Sequence, residues 1–227
     1  MTTTLRSRTS IALAALAILS SSASASAQEV TRMPEDARHA VGLDVGLESA
    51  FVARATYAHR VDLGFVPDAR LFGRYTLPIV NPDLGDWSLD GGVRATPVAL
   101  GDFRLALLLG PVIRNSVNDV FTSTAVGMSA TVLAGYEGPR WGISAEGSYE
   151  QILTTHLRHS ARYREEAFPD AKDGWYSITG STVRGGLRGG ARFGAVEIWL
   201  RAGLDATGRF HALAVPFQAT LGGVYAF

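Results

Sequence analysis

The last ten residues, Gln218 to Phe227, constrain this chain more than any other stretch. Reading back from Phe227, apolar or small side chains fall at 227, 225, 223, 221, 219, 217, 215 and 213. That spacing is the period of two expected of an extended strand with one face against an apolar phase. The stretch carries aromatics at its end, Tyr225 and Phe227, and stops on the carboxylate of Phe227.

The same alternation recurs upstream and divides the chain into segments at 39–48, 50–63, 69–77, 87–99, 103–113, 120–136, 141–153, 175–193 and 195–204, with the tenth following a turn at 205–209. In the first, Val41, Leu43, Val45 and Leu47 oppose Gly42, Asp44, Gly46 and Glu48. In the ninth, Val196, Ile198, Leu200 and Ala202 oppose Glu197, Trp199 and Arg201. Two segments read less cleanly: Pro97 weakens the end of the fourth, because proline cannot donate to a sheet ladder, and Leu108 blurs the fifth. The connections are dense in turn residues, as in Pro78, Asn81, Pro82, Asp83 and Gly85. The longest irregular piece is 154–174.

Residues 1–27 have a different character. Arg6 and Arg8 precede an apolar run from Ile11 to Leu19, and a small-residue tail ends in Ala25, Ser26 and Ala27. This is the order of a secretory signal peptide cut after Ala27. Residues 28–38 then read as a short polar lead and 39–227 as one domain. Cleavage takes away two arginines and no acid, leaving 19 basic against 21 acidic residues, net −2. A near-balanced chain offers no electrostatic case for nucleic acid. With no cysteine there is neither a disulfide framework nor a thiolate metal site.

Beyond the leader no apolar run approaches the ~18 residues of a spanning helix. Only helices and closed barrels cross a bilayer with every backbone group satisfied, so the alternation points to a barrel. Each segment meets the ~9–11 residues that a tilted spanning strand needs. The expected fold is therefore all-β, a closed antiparallel transmembrane up-and-down barrel of ten strands, with eight as the main alternative and a soluble β-sandwich as a more distant one. With Phe227 in the periplasm, one set of strand ends holds Phe65, Phe103, Tyr136, Trp141, Phe193, Tyr225 and Phe227. The other holds Phe51, Tyr75, Trp87, Tyr149 and Trp175. Aromatic residues at both ends are what two membrane interfaces select.

The inward faces collect charge of both signs: Asp44, Glu48, Arg54, Arg60, Arg74, Asp90, Arg94, Arg104, Glu146, Glu150, Arg184, Arg188, Glu197 and Arg201. Neighbouring strands differ in sign, so ion pairing across the interior is expected. Two readings of this face stay open. One is a structural network plugging a barrel barely wide enough for its own side chains, and the other is a narrow charge-lined channel for small solutes.

Enzymatic alternatives rest on the histidines. His156, His159 and Ser160 fall in the long outer loop, with Glu165, Glu166 and Asp170 downstream. A metal site needs convergent ligands and a nucleophile needs an oriented base, whereas a loop of this composition reads as solvated. Arg158, Arg162, Arg164 and Lys172 in the same region are candidates to meet lipopolysaccharide phosphates. Gly185-Gly186 and Gly189-Gly190 sit in a strand with no following helix, so no phosphate-binding loop is implied, and no cofactor is called for.

The C-terminal stretch resembles the C-terminal signature of bacterial outer-membrane β-barrels: polar Thr220, Gly222 two residues on, then Tyr225 and terminal Phe227. In pattern the mature chain resembles small barrels of the OmpA, OmpX and OmpW kind. The resemblance implies a location in the cell outer membrane among lipid and lipopolysaccharide, and insertion by the barrel-assembly machinery, which reads the last strand. No motif of outer-membrane proteases, lipid A deacylases or acyltransferases matches residue by residue, so no catalytic residue is assigned.

Overall fold

Each alternating segment forms a strand, because a side-chain period of two lets one face meet the interior and the other the surroundings. The computed structural model describes residues 33–34, 36–48, 50–64, 66, 68–80, 85–207 and 212–227, with the side chains of 212–215 left aside. The proposed signal peptide, most of the lead, Phe65 and His211 lie outside the described residues.

Ten antiparallel strands run in chain order: β1 (His39–Leu47), β2 (Phe51–Val61), β3 (Ala69–Pro78), β4 (Trp87–Leu100), β5 (Phe103–Val117), β6 (Phe121–Glu137), β7 (Trp141–His159), β8 (Gly174–Phe193), β9 (Val196–Thr207) and β10 (Ala212–Ala226). Each pairs with its sequence neighbours, and β1 pairs with β10 to close the barrel. The seam runs from Ala40↔Ala226 to Leu47↔Ala219. Phe227 locks it: its carbonyl accepts from the backbone N–H groups of Arg38 and His39 at 2.9 and 2.8 Å, and its N–H donates to His39 O at 2.8 Å. Closure leaves no sheet edge unpaired.

The surface is inverted relative to a water-soluble protein. Leu43, Leu71, Leu109, Leu187, Leu200 and Leu221 lie exposed on the outer wall. Of the ten largest fully buried side chains among the described residues six are arginines, so charge makes up much of the interior, beside an apolar cluster that includes Phe72, Leu108, Leu133 and Trp199. Aromatic side chains gather at the strand ends. Tyr136 packs on Trp141 with ring centroids 4.6 Å apart, and Tyr225 on Phe227 at 5.7 Å, at the end that holds the C-terminus. Tyr75 and Trp87 pair at 6.3 Å at the opposite, loop end.

Several boundaries differ from the sequence reading. β5 runs through Arg114 to Val117 rather than stopping at Ile113, and β7 runs to His159 rather than to Leu153. Cross-strand hydrogen bonding to β6 carries both onward through sequence whose polarity hides the alternation. Tyr149, expected at the outer end, therefore sits mid-strand. The expected loop 154–174 contracts to 160–173 and contains a short helix, α1 (Ala161–Glu166), whose first turn is capped by Ser160 Oγ accepting from Tyr163 N at 3.1 Å. β4 survives Pro97 by a bulge, with a register shift against β5 between Ala95 and Val98. Of the four paired glycines of β8, Gly186 and Gly190 stand against the backbone and side chains of β9, whereas Gly185 and Gly189 have space.

Candidate functional site: the barrel interior and the loop-end cavity

An interior that buries arginine must supply carboxylates within reach, because an unpaired buried charge is far more costly than a paired one. The lumen meets this demand in three zones along the barrel axis.

At the end holding the C-terminus, Asp68 stands among Arg70 at 2.5 Å, Arg94 at 3.4 Å and Arg60 at 3.6 Å. Burial of the Asp68 carboxyl works against ionisation, but Arg70, Arg94 and Arg60 outweigh it and hold the group below the usual carboxylate range. Glu137 lies 3.8 Å from Arg94 and 3.5 Å from Arg104, while Glu197 takes Arg188 at 3.1 Å and Arg192 at 3.3 Å.

In the middle zone Arg54 donates to Asp44 at 3.1 Å, to Glu48 at 2.7 Å and to Thr76 Oγ1 at 3.0 Å. Arg74 pairs with Asp90 on the adjacent strand. Arg201 reaches over β8 to Glu146 at 2.7 Å and approaches Glu48 at 4.0 Å, linking β9 to β7 and to the end of β1. Trp199, also inward, carries the Arg188 guanidinium on its ring at 4.5 Å. Its ring fills the space over Gly222, where an added Cβ would come within 2.4 Å of Trp199 Cζ2.

In the zone toward the loop end Glu150 receives Arg114 at 2.6 Å and faces Arg184 at 3.6 Å, and Arg184 in turn faces Asp205 at 3.7 Å. Every inward charge named from the sequence thus stands in or at the edge of the lumen. Glu146 pairs with Arg201, two strands away. Asp68, Arg114, Glu137 and Asp205 complete the network although the sequence reading left them in turns and loops. The continuing even parity from Arg104 through Leu108 to Arg114 is the signal that reaches the second of these. Of the terminal signature, Thr220 and Gly222 face inward, whereas Tyr225 and Phe227 lie on the outer wall.

Above the charged zone lies a cavity of about 510 Å³ at the loop end. Its walls come from β5 to β9 and from α1 with the segment after it. Phe121, Ala125, Ile152, Leu157, Tyr163, Phe168 and Tyr176 give it apolar surface. Ser116, Ser123, Thr155, Thr179, Ser181, Thr182 and Thr207 give it hydroxyls, and Arg114, His159 and Lys172 are its basic members.

The cavity depends on irregularities in the sheet. The β6–β7 register shifts between Val126 and Gly127, and the β7–β8 register between Ile152 and Thr154. These shifts exchange the faces of β7, turning Thr155, Leu157 and His159 inward and His156 outward. Gln151 Nε2 ties the shift down by donating to Gly180 O at 2.8 Å. Across it, Ile178 is held at φ 50°, a left-handed conformation that a β-branched residue rarely adopts.

The outer-loop candidates are accordingly dispersed. His156 and His159 lie on β7, not in a loop, and on opposite faces. His156 packs on Trp175 at 5.0 Å, and His159 on Tyr163 at 5.5 Å. His159 Nδ1 lies 3.1 Å from Asp173 Oδ1 and its backbone N–H donates to the same oxygen at 2.8 Å. Arg164 also pairs with Asp173, and Arg162 reaches Glu166 one helical turn on at 3.1 Å. The Arg164 hydrogen bond, followed by that of the His159 N–H, holds the Asp173 carboxyl well below the usual range. Among the described residues no group of three or more metal-ligating side chains converges.

The fold is a closed ten-stranded antiparallel β-barrel with an apolar exterior and a charge-rich interior, an arrangement consistent with an outer-membrane-type barrel. No protein-family model matches the chain, and no curated protein matches it.

Proposed function

We propose that this chain is an integral outer-membrane β-barrel, exported with cleavage after Ala27, whose plugged lumen serves a structural or surface-interaction role. The observation that carries this reading is the inversion of the surface, with leucines outside and arginine–carboxylate pairs inside. In water an exterior of this kind is a large aggregation hazard, whereas lipid accepts it and leaves the closed sheet with no unsatisfied edge. The end that carries the shorter connections and Phe227 faces the periplasm; the end with α1 faces outward, toward lipopolysaccharide. Barrel-assembly machinery acts on β10.

Lys172, the sole lysine of the chain, offers a direct test. In intact cells a membrane-impermeant amine reagent is expected to label Lys172 at the surface, and a Lys172→Arg variant to lose that label. Labelling seen only after the outer membrane is broken would overturn the orientation.

The plug reading is favoured by the side chains of Arg54, Glu48, Arg201 and Glu146, all fully shielded from solvent in mid-barrel. Planar-bilayer recording is expected to give no discrete conductance steps. Steps that change size in an Arg201→Ala variant would replace the plug with the narrow solute channel. A lipid A-modifying activity finds less support, since His156 and His159 face away from each other.

A further inference from the structure

We propose that the loop-end cavity is a binding site for a small amphipathic carboxylate, with an aromatic or short aliphatic body, taken up from the outer face. Its size, about 510 Å³, lies within the range of drug-sized ligand sites, ~300–1,000 Å³. It has the composition of such sites as well: apolar walls from Phe121, Ile152, Leu157 and Phe168, with hydroxyls among them to orient a polar group.

The charge of the ligand follows from the lining. Arg114, His159 and Lys172 border the cavity and, among the described residues, no carboxylate does. Arg114 is the decisive member. On the sheet it stands level with Ala125, Thr155 and Tyr176, and its side chain reaches back toward the barrel middle, where Nη2 donates to Glu150 at 2.6 Å. The side chain is more than nine-tenths buried, and its Nε–H has no acceptor among the described residues. A guanidinium offers five donors in a planar fork suited to a carboxylate. Glu150 is shared between Arg114 and Arg184, and Arg184 also faces Asp205, so the donor left over for a ligand is that of Arg114. A ligand carboxylate above Arg114 would supply an acceptor at the floor while its body lies against Phe121 and Leu157.

The register shift in β7 also acquires a purpose. It puts Leu157 rather than Arg158 on the inner face, building the apolar wall at the cost of the strained Ile178 on the partner strand.

The test uses the full mature barrel refolded into lipid nanodiscs, with empty nanodiscs as the partition control, and 2-naphthoate as probe beside its neutral analogue 2-naphthylmethanol. Calorimetry is expected to show saturable one-to-one binding of the carboxylate, at least ten-fold tighter than the alcohol. Arg114→Gln is expected to abolish that preference and Arg114→Lys to keep most of it. Ala125→Trp on β6 and Leu157→Trp on β7 fill the cavity from different strands, so either one that retains heat-modifiable folding suffices; each is expected to weaken 2-naphthoate at least ten-fold. No saturable binding beyond empty nanodiscs, equal affinity for the alcohol, or undiminished binding in a folded tryptophan variant would each overturn the proposal.

Discussion

Arg54 on β2 donates to Glu48, just beyond the end of β1, at 2.7 Å, with both side chains fully shielded from solvent. The same guanidinium holds Asp44 at 3.1 Å, so one arginine is the nearest cation to two buried carboxylates on one hairpin, with Arg201 farther off at 4.0 Å from Glu48. Arg54→Met takes the nearest cation from both acids and is expected to destabilise the barrel by ~3–5 kcal/mol, the range for breaking a buried pair from one side. Adding Asp44→Asn and Glu48→Gln to Arg54→Met removes the stranded charges and should recover at least half of that loss. Urea titration of folding into lipid vesicles measures both, and equal stability of the single and triple variants would contradict the pairing.

Trp199 and Gly222 share one volume on facing strands, since a Cβ at 222 would lie 2.4 Å from Trp199 Cζ2 and 2.7 Å from Asp44 Cβ. Gly222→Ala is expected to cost ~1–3 kcal/mol by overpacking. In the Trp199→Leu background the same change should cost at least ~1 kcal/mol less, a coupling measurable by a double-mutant cycle. Additive losses would move the importance of Gly222 from packing to recognition during assembly.

Phe227 closes the seam through its backbone, with hydrogen bonds to Arg38 and His39 of 2.8 to 2.9 Å, and its ring stacks on His39 with centroids 5.5 Å apart. Deleting it removes three such bonds, each worth ~1 kcal/mol net. Slower, less complete refolding is therefore expected even from urea into vesicles, where no assembly machinery is present. Phe227→Leu keeps the bonds and should refold normally in vitro; a defect confined to cells then reports on recognition of the ring. Wild-type refolding of the deletion variant would show that the terminal bonds are dispensable.

Asp173 holds the 160–173 loop through Arg164 and His159, and those bonds depress its carboxyl. A carboxylate depressed in the folded loop contributes stability above its unfolded pKa, near ~3.9, and loses it as pH falls through the depressed value. Amide protection over 160–173 should consequently persist on acidification to about pH 4, the ordinary carboxylate range, and fail below it. Asp173→Asn is expected to weaken that protection at neutral pH and to flatten its acid dependence. Fraying of the wild-type loop already at about pH 5 would rule out this anchor.

Much of the barrel is legible along the chain, because facing in a strand is a local property: Leu43 and Asp44 must point to opposite sides wherever β1 lies. Glycine and proline punctuation separates the ten runs, and the aromatics at 51, 75, 87, 141 and 193 mark their ends. Legibility fails where polarity stops alternating with parity, as at 114–117 and 154–159. There strands persist because a neighbour supplies hydrogen bonds, and local sequence carries no record of that neighbour.

The sequence by itself determined the inverted distribution of charge and hydrocarbon and the character of the terminal strand, while ten strands rather than eight was settled by the closed sheet. Only the tertiary structure decided that Arg201 takes Glu146, that Trp199 lies over Gly222, and that His156 and His159 part to opposite faces. Closing ten strands sets a stagger that belongs to the whole sheet, and a bulge in one strand exchanges the faces of every residue beyond it. The ion-pair partners and the loop-end cavity follow from that stagger and those bulges.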